Sequence, residues 1–262
     1  MMTRPNWHRI QGKWLELTSQ RGVGYLPPQL MAEFHKDLIF ASSNMEHIGI
    51  SVQEVKLIVT SYPAMPNLDL SRESVLQAIG QKRALELVED EVTSGMQLSQ
   101  NQLIKQLHYE LLRDVSPGEA GQYRRVHLTV AGSKVMTSMP STIPGEMASL
   151  SEWVEENLKA ADKTNVFATI MLAARAHHEI TRIHPFADGN GRIARLYLNY
   201  ICRTKALPYV LLPKVGIEED MNRALKEADA GNIDLAVNLY GHLLETSLDR
   251  ILDHYRGRPP HD

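Results

Sequence analysis

The chain has 262 residues, 43% of them apolar, and a formal net charge of −3. That length and apolar share support a sizeable buried core, while the charge balance excludes a general electrostatic attraction to nucleic acid or to an anionic membrane surface. The single cysteine, Cys202, excludes an internal disulfide or a cysteine-rich zinc site, and no apolar run reaches the roughly 18 residues needed to span a bilayer.

The first residues, Met-Met-Thr-Arg-Pro-Asn-Trp-His, lack the apolar segment of a signal peptide, so a cytoplasmic location is expected. Residues 1–27, with Trp7 and Trp14, receive no assignment beyond packing or an interface. From residue 28 the periodicity is helical: Leu30, Met31, Phe34, Leu38 and Ile39 form one stripe of a helix over 28–45. Further amphipathic helices are predicted at 51–60, 71–92, 99–113, 145–159, 164–183, 188–205, 218–230 and 232–255, with linkers at 62–70, 114–120 and 140–144. The apolar stretch 166–176 reads as a buried helix and Cys202 as a small buried hydrophobe. Residues 22–36 come nearest to a helix-turn-helix, but without a basic stripe they give DNA binding no support.

One segment breaks the helical pattern. Residues 122–136 alternate apolar and polar side chains on both sides of Ala131, Gly132 and Ser133, which is a β-hairpin signature. A lone hairpin exposes unpaired edges, so it must pack on helices or accept a strand from a partner. The Pro-containing end, 256–262, is expected to fray.

The densest chemistry lies between the helices predicted at 164–183 and 188–205, in His184-Pro-Phe-Ala-Asp-Gly-Asn-Gly-Arg-Ile-Ala-Arg195. Gly189, Asn190 and Gly191 tolerate positive φ, so successive backbone N–H groups can converge at a helix start, where the dipole already favours an anion. Arg192, Arg195 and Asn199 share an arc of roughly 60° on that helix. Two aligned arginines repel unless an anion or a carboxylate lies between them. Asp188 beside an anion hole is explained by a bridging Mg²⁺, which joins a carboxylate to phosphate oxygens, and a neutral His184 could accept a proton from an incoming hydroxyl. Taken singly, each residue has a plain structural reading: a helix cap, a turn, a satisfied histidine, solvated arginines. Their coincidence within twelve positions does not. The segment lacks the Gly-x-x-x-x-Gly-Lys-Ser/Thr of a P-loop, and His178-Glu179-Ile-Thr-Arg182 has arginine where a zinc protease needs its second histidine. His177 and His178 are expected to be a core residue and a surface neighbour.

This sequence resembles the Fic family, whose signature His-x-Phe-x-Asp/Glu-Gly-Asn-Gly-Arg-x-x-Arg is met at every fixed position by His184, Phe186, Asp188, Gly189, Asn190, Gly191, Arg192 and Arg195. The likeness extends over roughly residues 40–250, including Leu107-His108 and Gly121-Gln-Tyr-Arg124 before the hairpin, 140–153 after it, and Ala224-Leu225 through Gly231-Asn232. It implies an all-α, Fic-like helical bundle with a short β-hairpin flap, divided into a helical region 1–97, a catalytic core 98–255 and a disordered tail 256–262.

The resemblance also implies roles. His184 would be the catalytic base and Asp188 the Mg²⁺ ligand. Gly189, Asn190, Gly191 and Arg192 would cradle the phosphates, Arg195 the γ-phosphate, and Phe186 would anchor the loop. The flap, centred on Val130, Ala131, Gly132 and Ser133, would dock the target by strand addition. Ala41-Ser-Ser-Asn-Met-Glu-His47 is similar to the inhibitory helix of some members, with Ser42 and Glu46 matching; Glu46 would reach Arg195, and His47 stands where the family has Gly or Asn. The implied function is a protein adenylyltransferase, moving AMP from ATP with Mg²⁺ onto a Tyr, Thr or Ser hydroxyl of a target protein and restrained by Glu46. The same site could remove AMP, or carry UMP or GMP, since Met221 and Asp229 stand where relatives place Tyr and Asn near the adenine. A nucleotide-binding regulator or toxin–antitoxin component is the non-enzymatic alternative, in which His184 would be superfluous. A homo-oligomer is a candidate assembly; nucleic acid and membrane are not expected partners.

Overall fold

Two helices at the centre carry the site, and the others pack around them. In the computed structural model, which describes residues 3–21, 26–64, 68–95, 98–129, 136–160, 162 and 165–257, α7 (Val166–Ile183) and α8 (Asn190–Thr204) lie against each other. α7 is capped by Asn165, whose side chain accepts from the Ala168 N–H at 2.9 Å, and it buries Ile170, Ala173, Ala174, Ala176 and Ile180. α8 buries Ile193, Ala194, Tyr197, Ile201 and Cys202, which form its core-facing side.

α4 (Glu73–Ser94) and α5 (Gln100–Leu112) pack on each other and on α8. They meet closely at Gly80, where a Cβ would stand 2.2 Å from the Leu111 carbonyl oxygen. α5 opens with a capping box, Ser99 and Gln102 each bonding the other's backbone. α2 (Pro28–Met45) lies on α4, with α3 (Val52–Ser61) between them, also opened by a capping box of Ser51 and Glu54. α6 (Ile143–Ala160) covers α5 and α7, α9 (Glu218–Asp229) packs on α10 (Asp234–Tyr255), and α10 returns along α7.

The nine helices expected from periodicity are present with ends shifted by at most two residues. A tenth was not assigned from sequence. α1 (Trp7–Arg21) buries Ile10, Trp14 and Leu17 on α7 and α10, and Arg9 and Lys13 both pair with Glu245 of α10. Its apolar spacing of four and three is helical, but it is short and flanked by charge.

Two expectations need correction. Among the described residues no strand forms, so the β-hairpin flap is not found. Instead of a backbone ladder among the described residues, the segments 126–129 and 136–139 are joined through side chains: the Thr137 hydroxyl donates to the Leu128 carbonyl, and the Arg124 guanidinium reaches both Val126 and Ser138. Val130, Ala131, Gly132 and Ser133 lie outside the described residues, as do 258–262 of the tail. His178 is not a surface neighbour. It is 7% exposed and bonded to Asp229 at 2.9 Å, while His177 meets the Tyr240 hydroxyl at 3.1 Å. Adjacent positions both find cover because α9 and α10 close over α7 from two sides. Among the described residues no helix is long and apolar enough to cross a membrane.

Candidate active site

The site is the junction where α7 ends and α8 begins. His184 closes α7 in the left-handed region, φ 54 and ψ 58, a conformation that costs a residue bearing a Cβ. Gly189, φ 76, opens α8 with no such cost, and Leu111 and His108 of α5 lie against it.

The imidazole of His184 is oriented by its own helix. Nδ1 lies 3.3 Å from the Thr181 carbonyl, which can only accept, so the proton sits on Nδ1 and the lone pair of Nε2 is free. Burial holds the ring below the ordinary histidine range, and the nearby charge of Arg124 acts in the same direction against the Thr181 hydrogen bond. The ring is therefore neutral at pH 7 and able to take a proton.

The loop between the two helices is pinned from below. Phe186 is fully buried and stacks on the His108 ring with centroids 3.8 Å apart. His108 Nδ1 accepts the Gly121 N–H at 2.9 Å, which places its proton on Nε2, donated to the Asp188 carbonyl at 3.1 Å. Burial pushes the His108 pKa down to about 4 and keeps this tautomer neutral. Asn190 is 3% exposed and spends both ends of its amide on Phe186, accepting its N–H and donating to its carbonyl at 2.9 Å each. Its side chain thus staples the loop, leaving any anion to the backbone.

Each of the two arginines has its own carboxylate. Arg192 is buried and donates to Asp188 at 2.7 Å and to Gln77 of α4 at 2.8 Å. Arg195 donates to the Ser42 hydroxyl at 3.1 and 2.9 Å and to Glu46 at 2.6 Å. Ser42 and Glu46, one turn apart at the end of α2, therefore meet through Arg195. The Glu46 carboxylate also lies over the first turn of α8: a Cβ on Gly191 would stand 2.6 Å from its Oε1. His47 follows with φ 54, the conformation in which Gly or Asn is at ease.

Other residues singled out from sequence serve the fold. Asn199 bonds the Arg195 carbonyl and the Val210 N–H. The Met221 sulfur accepts from the Tyr240 hydroxyl at 3.1 Å, and Asp229 is taken by His178. Sequence reasoning gave no role to Arg124, Gln77 or Thr181, which touch the site. Arg124 stands beside exposed Arg125, and nothing local separates a buried arginine from a solvated one.

Residues 97–202 match the model of the Fic/DOC family. Protein adenylyltransferase Fic of Drosophila grimshawi is 26% identical over 214 residues, covering 82% of this chain and 42% of that protein, and its Drosophila ananassae counterpart is 29% identical, covering 82% and 41%. The chain thus spans about two fifths of the length of the curated relatives it matches. A Fic domain containing signaling protein from Bacteroides thetaiotaomicron superposes with a TM-score of 0.81 at 20% identity, covering 98% of this chain and all of the other. Fic-1 from C. elegans gives 0.77 at 22% identity, covering 95% and 73%. The signature residues gather at one helix junction, and the segment that holds them, residues 97–202, is the part of the chain that matches the Fic/DOC family.

Proposed function

We propose that the chain is a protein adenylyltransferase, held in check by Glu46. The observation that carries this reading is the His184 imidazole, fixed with Nε2 unprotonated at the mouth of the α8 N-terminus. A base beside an anion-binding helix start is the arrangement a hydroxyl-to-phosphorus transfer requires, and a pure binder has no use for it. The curated relatives named for this activity support the choice.

In this reading the N–H groups of Gly189, Asn190, Gly191 and Arg192 hold the phosphates of ATP and Arg195 the γ-phosphate. His184 Nε2 takes the proton of a Tyr, Thr or Ser hydroxyl on a target protein; its oxygen bonds to the α-phosphorus as the bond to pyrophosphate breaks. Positioning and charge supply the acceleration. Mg²⁺ fits the donor set. The Asp188 side chain is 61% exposed, and no group of three metal-binding side chains gathers among the described residues, so a cation would be held by one carboxylate together with phosphate oxygens, as Mg²⁺ accepts. Bound there, Mg²⁺ would neutralise charge on the leaving phosphates.

Glu46 occupies Arg195, so the γ-phosphate must displace a carboxylate to reach it. The part 98–255 would then be the catalytic core and 1–97 the restraining region. Met221 and Asp229 are engaged with Tyr240 and His178 and offer no base-reading contact of their own, so the nucleotide is settled by assay. The test is transfer of label from each α-labelled triphosphate to protein in a lysate by the Glu46→Gly chain with Mg²⁺. Labelling from ATP, abolished by His184→Ala, is expected. No labelling from any triphosphate would refute the reading, and label from UTP or GTP instead would reassign the cargo. Release of AMP from a modified target that is lost in Glu46→Gly would favour the reverse reaction.

A further inference from the structure

Close to His184 lies a buried arginine with no acidic partner among the described residues. Arg124 is 5% exposed, and among the described residues no Asp or Glu lies within ion-pair distance of it. Its guanidinium is spent on backbone carbonyls. Nε donates to His184 at 2.7 Å, Nη1 to Val126 at 2.7 Å, and Nη2 to Ser138 at 2.6 Å and Ile183 at 3.4 Å. The Arg124 backbone N–H donates to the Pro185 carbonyl at 2.9 Å.

We propose that Arg124 is a positioning residue for the catalytic base: one planar fork fixes the left-handed backbone of His184 and ties it to the segments 126–129 and 136–139. Three arguments carry it. Burying a charge without a counter-ion is costly, and here the cost is offset by the carbonyls at the C-terminus of α7, the negative end of the helix dipole. The His184 backbone is strained, and a strained residue persists only where its surroundings over-determine it; the bonds to the carbonyls of Ile183 before its Cα, and of His184 and Pro185 after it, do so. Finally, the acceptors Val126 and Ser138 belong to two segments between which no strand pairing is found among the described residues, so the guanidinium, with the Thr137–Leu128 bond, is what joins them there. Lysine cannot present donors in that fork geometry.

The proposal rests on His184 as the base, and its test separates the two. Full-length Glu46→Gly is compared with the same chain carrying Arg124→Gln or Arg124→Lys. For Arg124→Gln, transfer should fall about 100-fold, the scale of a base misplaced by about 1 Å, while nucleotide affinity by calorimetry stays within about twofold. Amide exchange at 126–129 and 136–139 should rise, and Arg124→Lys should recover part of both losses. Unchanged exchange in these segments, transfer within about twofold of the parent, or nucleotide affinity lost in step with transfer would each overturn the proposal. If the parent transfers no label, the functional reading fails and the exchange of these segments alone decides on Arg124. If Arg124→Gln does not fold, the Nε–H resonance of Arg124 in the unsubstituted, ¹⁵N-arginine-labelled chain decides. Slow exchange with water supports the clamp, and rapid exchange refutes it.

Discussion

His47→Gly should stabilise the protein, and the size of the gain follows from the backbone. His47 sits just past the end of α2 at φ 54, exposed, with its backbone N–H on the Asn44 carbonyl. The left-handed conformation costs a side-chain-bearing residue about 1–2 kcal/mol. Glycine removes that cost but loses about 0.5–1 kcal/mol in added freedom of the unfolded chain. The net gain is about 1 kcal/mol, or about 2–4 °C in Tm for a chain of this size. Because this turn carries Glu46 to Arg195, a firmer helix end should also lower basal label transfer, by up to about fivefold if release requires the turn to unwind. Thermal denaturation and α-labelled ATP transfer, run beside a His47→Ala control that keeps the Cβ and hence the strain, check both effects. The reasoning is refuted if glycine fails to raise Tm or if alanine raises it equally.

Stability should fall early in acid. His35, His108 and His177 are buried neutral, with pKa values pushed down by burial to about 4, about 4 and about 3. The unfolded rings, near the ordinary 6.5, bind protons that the folded ones refuse, so the unfolded state gains protons and stability drops as pH falls from about 6.5 towards 4. Each ring contributes a slope of up to about 1.4 kcal/mol per pH unit, and urea denaturation between pH 6.5 and 5, above the range of paired carboxylates, should already reveal it; a flat profile there would contradict the burial. Glu89→Ala should cost about 3–5 kcal/mol in the same assay, because it takes the carboxylate away from the buried Arg203 guanidinium bonded to it at 2.8 and 3.0 Å and also releases the Tyr209 hydroxyl; a loss below about 1 kcal/mol would mean that the pair is not buried in solution.

The helices were legible because a 3.6-residue apolar period is a local property of the chain. The end of α2 at Met45 and the junction between α7 and α8 were marked by residues that act through their own backbones. The hairpin was misread for the same reason. Alternation over 122–136 is local, but strand pairing is a relation between two segments, and here the donors that join them belong to side chains of Arg124 and Thr137. α1 was missed because its helix is made worthwhile by Glu245 and Asp249, more than 230 positions away.

The eight-position signature from His184 to Arg195, with Glu46 one turn after Ser42, was fixed by order along the chain, since a loop, a helix start and an i, i+4 pair are set by near neighbours. The tertiary structure alone decided which donors were already spent. It gave the Asn190 amide to Phe186, Met221 to Tyr240, Asp229 to His178 and Arg124 to four carbonyls. Most of those partners lie far apart in sequence, and burial, which makes an unpaired polar group costly, is a property of the packed chain.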